Sequence, residues 1–79
     1  MPDTPLGHVL TAASDILMRE VGPGDDFFSA GGDSVAAVEL ATELEKVFRT
    51  EIDVELVLTQ PDFAALATVL ADASADRDR

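Results

Sequence analysis

An all-α fold, a small antiparallel bundle of three main helices plus one short helix with a long loop before the second, is what this chain predicts. Three observations lead there. Apolar residues recur at helical spacing in three stretches, glycine and proline punctuate the gaps between them, and no stretch alternates apolar and polar residues as a strand would.

The first helix is expected over residues 5–20. Thr4 can cap it, Pro5 suits the first helical position, and Leu6, Val9, Leu10, Ala13, Ile16 and Leu17 make one apolar stripe. Gly7 and His8 weaken its opening turn, His8 being read as a solvated surface residue, and Val21-Gly22-Pro23-Gly24 ends it. The stretch 21–33 is then a loop of about a dozen residues, long for a compact domain and of the kind that carries function. Phe27 and Phe28 must pin it, one ring in the core and the other across it.

The second helix is expected over 34–48, with Ala37, Leu40, Ala41, Leu44, Val47 and Phe48 facing inward. Val35 and Val38 lie off that line, flanked by Glu39, Glu43 and Glu45. Asp53 can cap a short segment over 54–58, too brief to be stable without packing. Pro61 then sits near the first turn of a last helix that carries Phe63, Leu66, Ala67 and Leu70 to about Ala73. Residues 1–79 make a single domain whose ends, 1–4 and 74–79, are expected to fray.

With 79 residues the chain is one thin-cored domain, too small for a substrate pocket of ordinary enzymatic size. Its 16 Asp plus Glu against 5 Lys plus Arg give a net charge of −11, which disfavours nucleic acid and anionic membrane surfaces and favours basic docking partners. Without cysteine there is neither a disulfide framework nor a thiolate zinc site, and a single histidine builds no metal site. Met1-Pro2-Asp3-Thr4-Pro5 has no export signal, and no run reaches the roughly 18 apolar residues of a membrane span. A cytoplasmic, monomeric protein is expected.

One segment concentrates chemistry: Asp25-Asp26-Phe27-Phe28-Ser29-Ala30-Gly31-Gly32-Asp33-Ser34 leads into the second helix. Ser34 opens that helix after a glycine pair, where free N–H groups and the macrodipole favour a phosphate and a partner can approach the backbone. Asp33 or Ser34 could instead simply cap the helix. Neither has a Glu or Gln three residues later to complete a capping box, and apolar Val35 follows on an outer surface; a cap alone requires neither feature. Asp25-Asp26 lacks the alternating ligands of a calcium loop and is read as a turn and cap. A hydrolase using Ser34 fails for want of a positioned imidazole.

Asp26-Phe27-Phe28, Gly31-Gly32-Asp33-Ser34, then Ala37, Leu40, Leu44 and Phe48, and Pro61 before Phe63 and Leu66, closely resemble the carrier proteins, or thiolation domains, of nonribosomal peptide synthesis. The likeness spans nearly the whole chain. It implies that Ser34, with Gly32 and Asp33 beside it, receives 4′-phosphopantetheine from coenzyme A, and that the arm's thiol carries an aminoacyl, peptidyl or acyl thioester. Ala30 and Val35 depart from the leucine and the leucine or methionine common at those places. The stretch from Val38 to Ile52 looks more like the acyl carrier proteins of fatty acid and polyketide synthesis, so that subtype stays open. Met1 and the short length fit a freestanding carrier and equally an excised domain.

The partners so implied are a phosphopantetheinyl transferase, an adenylating or acyl-loading enzyme, and a condensation, ketosynthase, transferase or tailoring enzyme. Val35 and Val38 would supply the apolar centre of the docking face, while Glu39 and Glu43 steer basic partners. No catalysis by the chain itself is expected. The rival from another class is an unmodified acidic adaptor that binds a basic protein through the same valines and glutamates.

Overall fold

The structure is a computed structural model that describes residues 4–77, with side chains described as far as Ala73. Four helices follow one another: α1 Pro5–Leu17, α2 Ser34–Phe48, α3 Val54–Thr59 and α4 Phe63–Arg77. No strand occurs among the described residues. The predicted bundle is thus the observed one; the expectations for 1–3 and 78–79 lie outside the described residues.

Each helix begins on a side-chain cap. Thr4 Oγ1 accepts the Gly7 N–H at 3.0 Å, Asp33 Oδ1 the Ala36 N–H at 2.9 Å, Asp53 Oδ1 the Glu55 N–H at 3.0 Å and Asp62 Oδ1 the Ala65 N–H at 2.8 Å. The last cap shifts α4 two residues past the expected start, leaving Pro61 outside it, and α4 continues past Ala73 to Arg77. The inward stripes meet in one core built around Val9, Ala13, Leu40, Leu44, Val57, Phe63, Leu66 and Leu70. α1 packs on both α4 and α2, and α3 packs on α2.

α1 stops three residues before the expected end. Met18 takes a left-handed conformation (φ 57°, ψ 40°), and the N–H groups of Met18 and Arg19 both donate to the Ser14 carbonyl. Arg49 closes α2 in the same way, at φ 58°. A methionine is poorly suited to that backbone, and with 89% of its surface exposed its side chain adds little to the core. Met18→Gly should therefore stabilise the fold by about 0.5–1 kcal/mol, the left-handed penalty less glycine's larger unfolded-state entropy. A urea midpoint at or below that of the parent chain would contradict this.

Two other positions differ from expectation. Val47, assigned to the inward stripe, is 37% exposed, because the packed line runs through Leu40, Ala41, Leu44 and Phe48 and leaves Val47 at its margin. His8 is half-buried with its ring edge-on to Phe48, centroids 6.2 Å apart, so it is packed rather than solvated.

Candidate functional site: the loop before α2 and the serine at its start

The segment 26–32 is a single capped turn. Asp26 Oδ2 accepts from the Ser29 N–H at 2.9 Å and from its hydroxyl at 3.1 Å, and the Asp26 carbonyl accepts the Ala30 N–H at 2.9 Å. The turn ends as a Schellman motif: Gly32 N–H donates to the Phe27 carbonyl, Gly31 N–H donates to the Phe28 carbonyl, and Gly31 adopts φ 102°. The two glycines have separate duties. Gly31 supplies a backbone conformation that side-chain-bearing residues avoid, with open space around it, whereas a Cβ on Gly32 would overlap the edge of the Phe27 ring.

The rest of the loop is tied down from both sides. Phe27 and Ala30 are buried, while Phe28 lies edge-on to Phe27 with 55% of its surface exposed. That is the division of labour expected of the phenylalanine pair. Val21 is buried and its N–H donates to Ser14 Oγ at 3.3 Å. Asp25 Oδ2 accepts the Gly22 N–H at 2.7 Å, and the carbonyls of Asp25 and Pro23 accept from the Phe63 and Ala64 N–H groups that begin α4. Arg19 Nη1 donates to the Ala30 carbonyl at 3.4 Å. Neither this contact nor the loop carbonyls on α4 leave a signature in the sequence, since any residue has a carbonyl and Arg19 stands in no pattern.

Ser34 is the exposed first residue of α2. Asp33 alone does the capping: its side chain takes the Ala36 N–H and its carbonyl takes the Ala37 N–H at 2.8 Å. Among the described residues no hydrogen bond engages the Ser34 hydroxyl, and the Ser34 and Val35 N–H groups find no acceptor. Both remain available at the positive end of the helix. One turn along, Val35 and Val38 are 68% and 51% exposed, with Glu39 and Glu43 exposed beside them. Glu45 is not part of that face. It is half-buried and accepts the Ile52 N–H at 2.9 Å, bracing the α2–α3 connection.

Among the described residues, the bundle thus displays one serine at a helix start, Ser34, whose hydroxyl is exposed and uncommitted. The chain matches the family model described as phosphopantetheine attachment site over residues 8–70. Chondramide synthase cmdD of Chondromyces crocatus is 37% identical over 76 residues, covering 94% of this chain and 2% of that synthase. Cyclosporin synthetase simA of Tolypocladium inflatum is 42% identical over 65 residues, covering 82% of this chain and a share of the synthetase that rounds to 0%. The chain thus corresponds to a very small part of these relatives. BlmI, a type-II acyl-carrier-protein from Streptomyces verticillus involved in bleomycin biosynthesis, has the same fold: TM-score 0.83 at 21% identity, over 87% of this chain and 84% of that one.

This chain belongs to the phosphopantetheine-attachment family. It is a carrier protein homologous to the thiolation domains of nonribosomal peptide synthetases, and its prosthetic group is covalent 4′-phosphopantetheine. Carrier domains of this kind are generally non-catalytic and work with partner catalytic domains. The residues present fit the group: a free, exposed hydroxyl adjoins unpaired N–H donors at the start of α2. Among the described residues no helix is long and apolar enough to cross a membrane.

Proposed function

We propose that Ser34 is the attachment site and that the chain shuttles an aminoacyl or peptidyl thioester between enzymes of a nonribosomal peptide or hybrid polyketide pathway in the cytoplasm, without turnover of its own. The observation that carries this is the division between Asp33 and Ser34. The aspartate satisfies the helix start, so the serine hydroxyl is left exposed and unbonded, as a modified residue must be. A phosphoester forms at Ser34 Oγ, its proton leaving to a base of the phosphopantetheinyl transferase while the nucleotide part of coenzyme A departs.

The arm supplies a thiol for thioester chemistry. This chain's residues present it: Gly31 and the Phe27–Gly32 contact hold the turn, Asp33 holds the helix start, and tethering raises the local concentration of cargo at whichever partner docks. Val35, Val38, Glu39 and Glu43 form the docking face for the transferase, the adenylating or acyl-loading enzyme, and the condensation, ketosynthase or tailoring enzyme that follows. The peptidyl cargo is supported by the relatives' names, chondramide synthase and cyclosporin synthetase.

Incubation of the purified chain with coenzyme A, magnesium and a broad-specificity phosphopantetheinyl transferase should add the mass of one phosphopantetheinyl group. Ser34→Ala should add none. Modification of the Ser34→Ala chain, or none of the parent chain, would refute the assignment.

A further inference from the structure

Away from the serine, a trough runs between α1 and α2. Two adjoining hollows form it, of about 270 and 510 Å³, sharing Asp15, Ile16 and Glu43. One end adds Met18, Val38 and Glu39, the other His8 and Val47, so the two helices flank the trough antiparallel. From His8 to Met18 it extends about 15 Å at the helical rise per residue, the length of about three helical turns.

Its chemistry is one-sided. Ile16, Met18, Val38 and Val47 give it an apolar floor and rim, and its charged residues are all acidic: Asp15, Glu39 and Glu43. Neither hollow is lined by Lys or Arg; of the two cations adjoining the lining in sequence, Arg19 is directed to the Ala30 carbonyl and Lys46 is exposed outside both hollows. Met18 is a separate pointer to use. Its backbone favours glycine and its exposure favours a polar residue, so nothing in folding calls for a methionine there, whereas a flexible thioether suits a contact surface.

We propose that this trough binds a cationic amphipathic helix of a partner protein, with apolar anchors on successive turns seated along Met18, Val38, Ile16 and Val47 and with Lys or Arg paired to Asp15, Glu39 and Glu43. The inference rests on the carrier function only for the source of that helix, a partner catalytic domain. The trough shares Val38, Glu39 and Glu43 with the docking face beside Ser34 and extends it onto α1 and its end through Asp15, Ile16 and Met18.

The probe is an idealised peptide of about 14 leucine and lysine residues, with leucine on one helical face, titrated into the isotope-labelled chain and followed by NMR. Backbone signals of Thr11, Asp15, Ile16 and Met18 should move together with those from Val38 to Val47. Asp15→Lys with Glu43→Lys should weaken binding about tenfold, whereas Glu51→Lys with Glu55→Lys, the same change in net charge outside the trough, should change it by less than about twofold. Met18→Gly should weaken binding roughly fivefold while raising thermal stability, a pairing that a purely structural Met18 cannot give. Binding should persist in Ser34→Ala, so loss of the modification and loss of the trough are read separately. Equal weakening by the two charge pairs, shifts confined to other surfaces, or self-association of the chain through Met18 and Val38 would overturn the proposal.

Discussion

Phe27→Ala is expected to destabilise the domain by about 3–5 kcal/mol, and Phe28→Ala by less than about 1 kcal/mol. The two phenylalanines are adjacent, yet Phe27 is 3% exposed and Phe28 55%. Removing the buried ring leaves a cavity under the turn that carries Gly31 and Gly32; removing the outer ring forfeits only an edge contact to its neighbour. At roughly 0.05–0.15 kcal/mol per residue, a chain of this length has a total stability of about 4–12 kcal/mol, so the first change consumes a large part of it. Urea denaturation of the two variants measures this directly. Equal losses, or a loss below about 1 kcal/mol for Phe27→Ala, would mean that the ring does not anchor the loop. Phosphopantetheinylation should slow with Phe27→Ala even where most molecules are folded, because the turn leading to Ser34 loses its support.

Much of this architecture is legible in the chain, and the exceptions have physical causes. The start of α2 is legible to within one residue because Gly-Gly-Asp-Ser places a turn, a cap and a helical run within four residues. The end of α1 is not, since a left-handed methionine breaks the usual preference for glycine and leaves no signal at Met18. α4 begins at Phe63 because Asp62 outcompetes Pro61 as the boundary: a carboxylate that bonds the Ala65 N–H defines a helix start more strongly than a ring that merely tolerates one. Glu45 was indistinguishable from its solvated neighbours, as its partner is a backbone N–H seven residues away. Within the candidate site, the exposure of Ser34, Val35 and Val38 follows from helical periodicity, whereas Asp33 rather than Ser34 is the cap because its carboxylate turns back onto the Ala36 N–H, a side-chain orientation that no sequence pattern encodes.

Gly32→Ala is the second large effect, expected to destabilise the domain by about 1–3 kcal/mol. The cause is crowding rather than backbone conformation. Gly31 alone of the pair has a positive φ, and a methyl group there would meet open space; Gly32 has no such conformational demand, but its new methyl would run into the Phe27 ring. That ring is buried on its other sides, so it cannot swing away without disturbing the core. The two glycines therefore respond differently to relief. Trimming the ring with Phe27→Leu should recover at least about 1 kcal/mol of the Gly32→Ala loss in a double-mutant cycle and none of a Gly31→Ala loss, because strain at a left-handed residue is indifferent to its neighbours' size. Additive losses for Gly32 with Phe27 would show that the close approach is not what selects glycine there. Since Ser34 lies two residues beyond Gly32 and depends on the same turn for its presentation, the crowded variant should also be modified more slowly, and the relieved double variant should regain part of that rate.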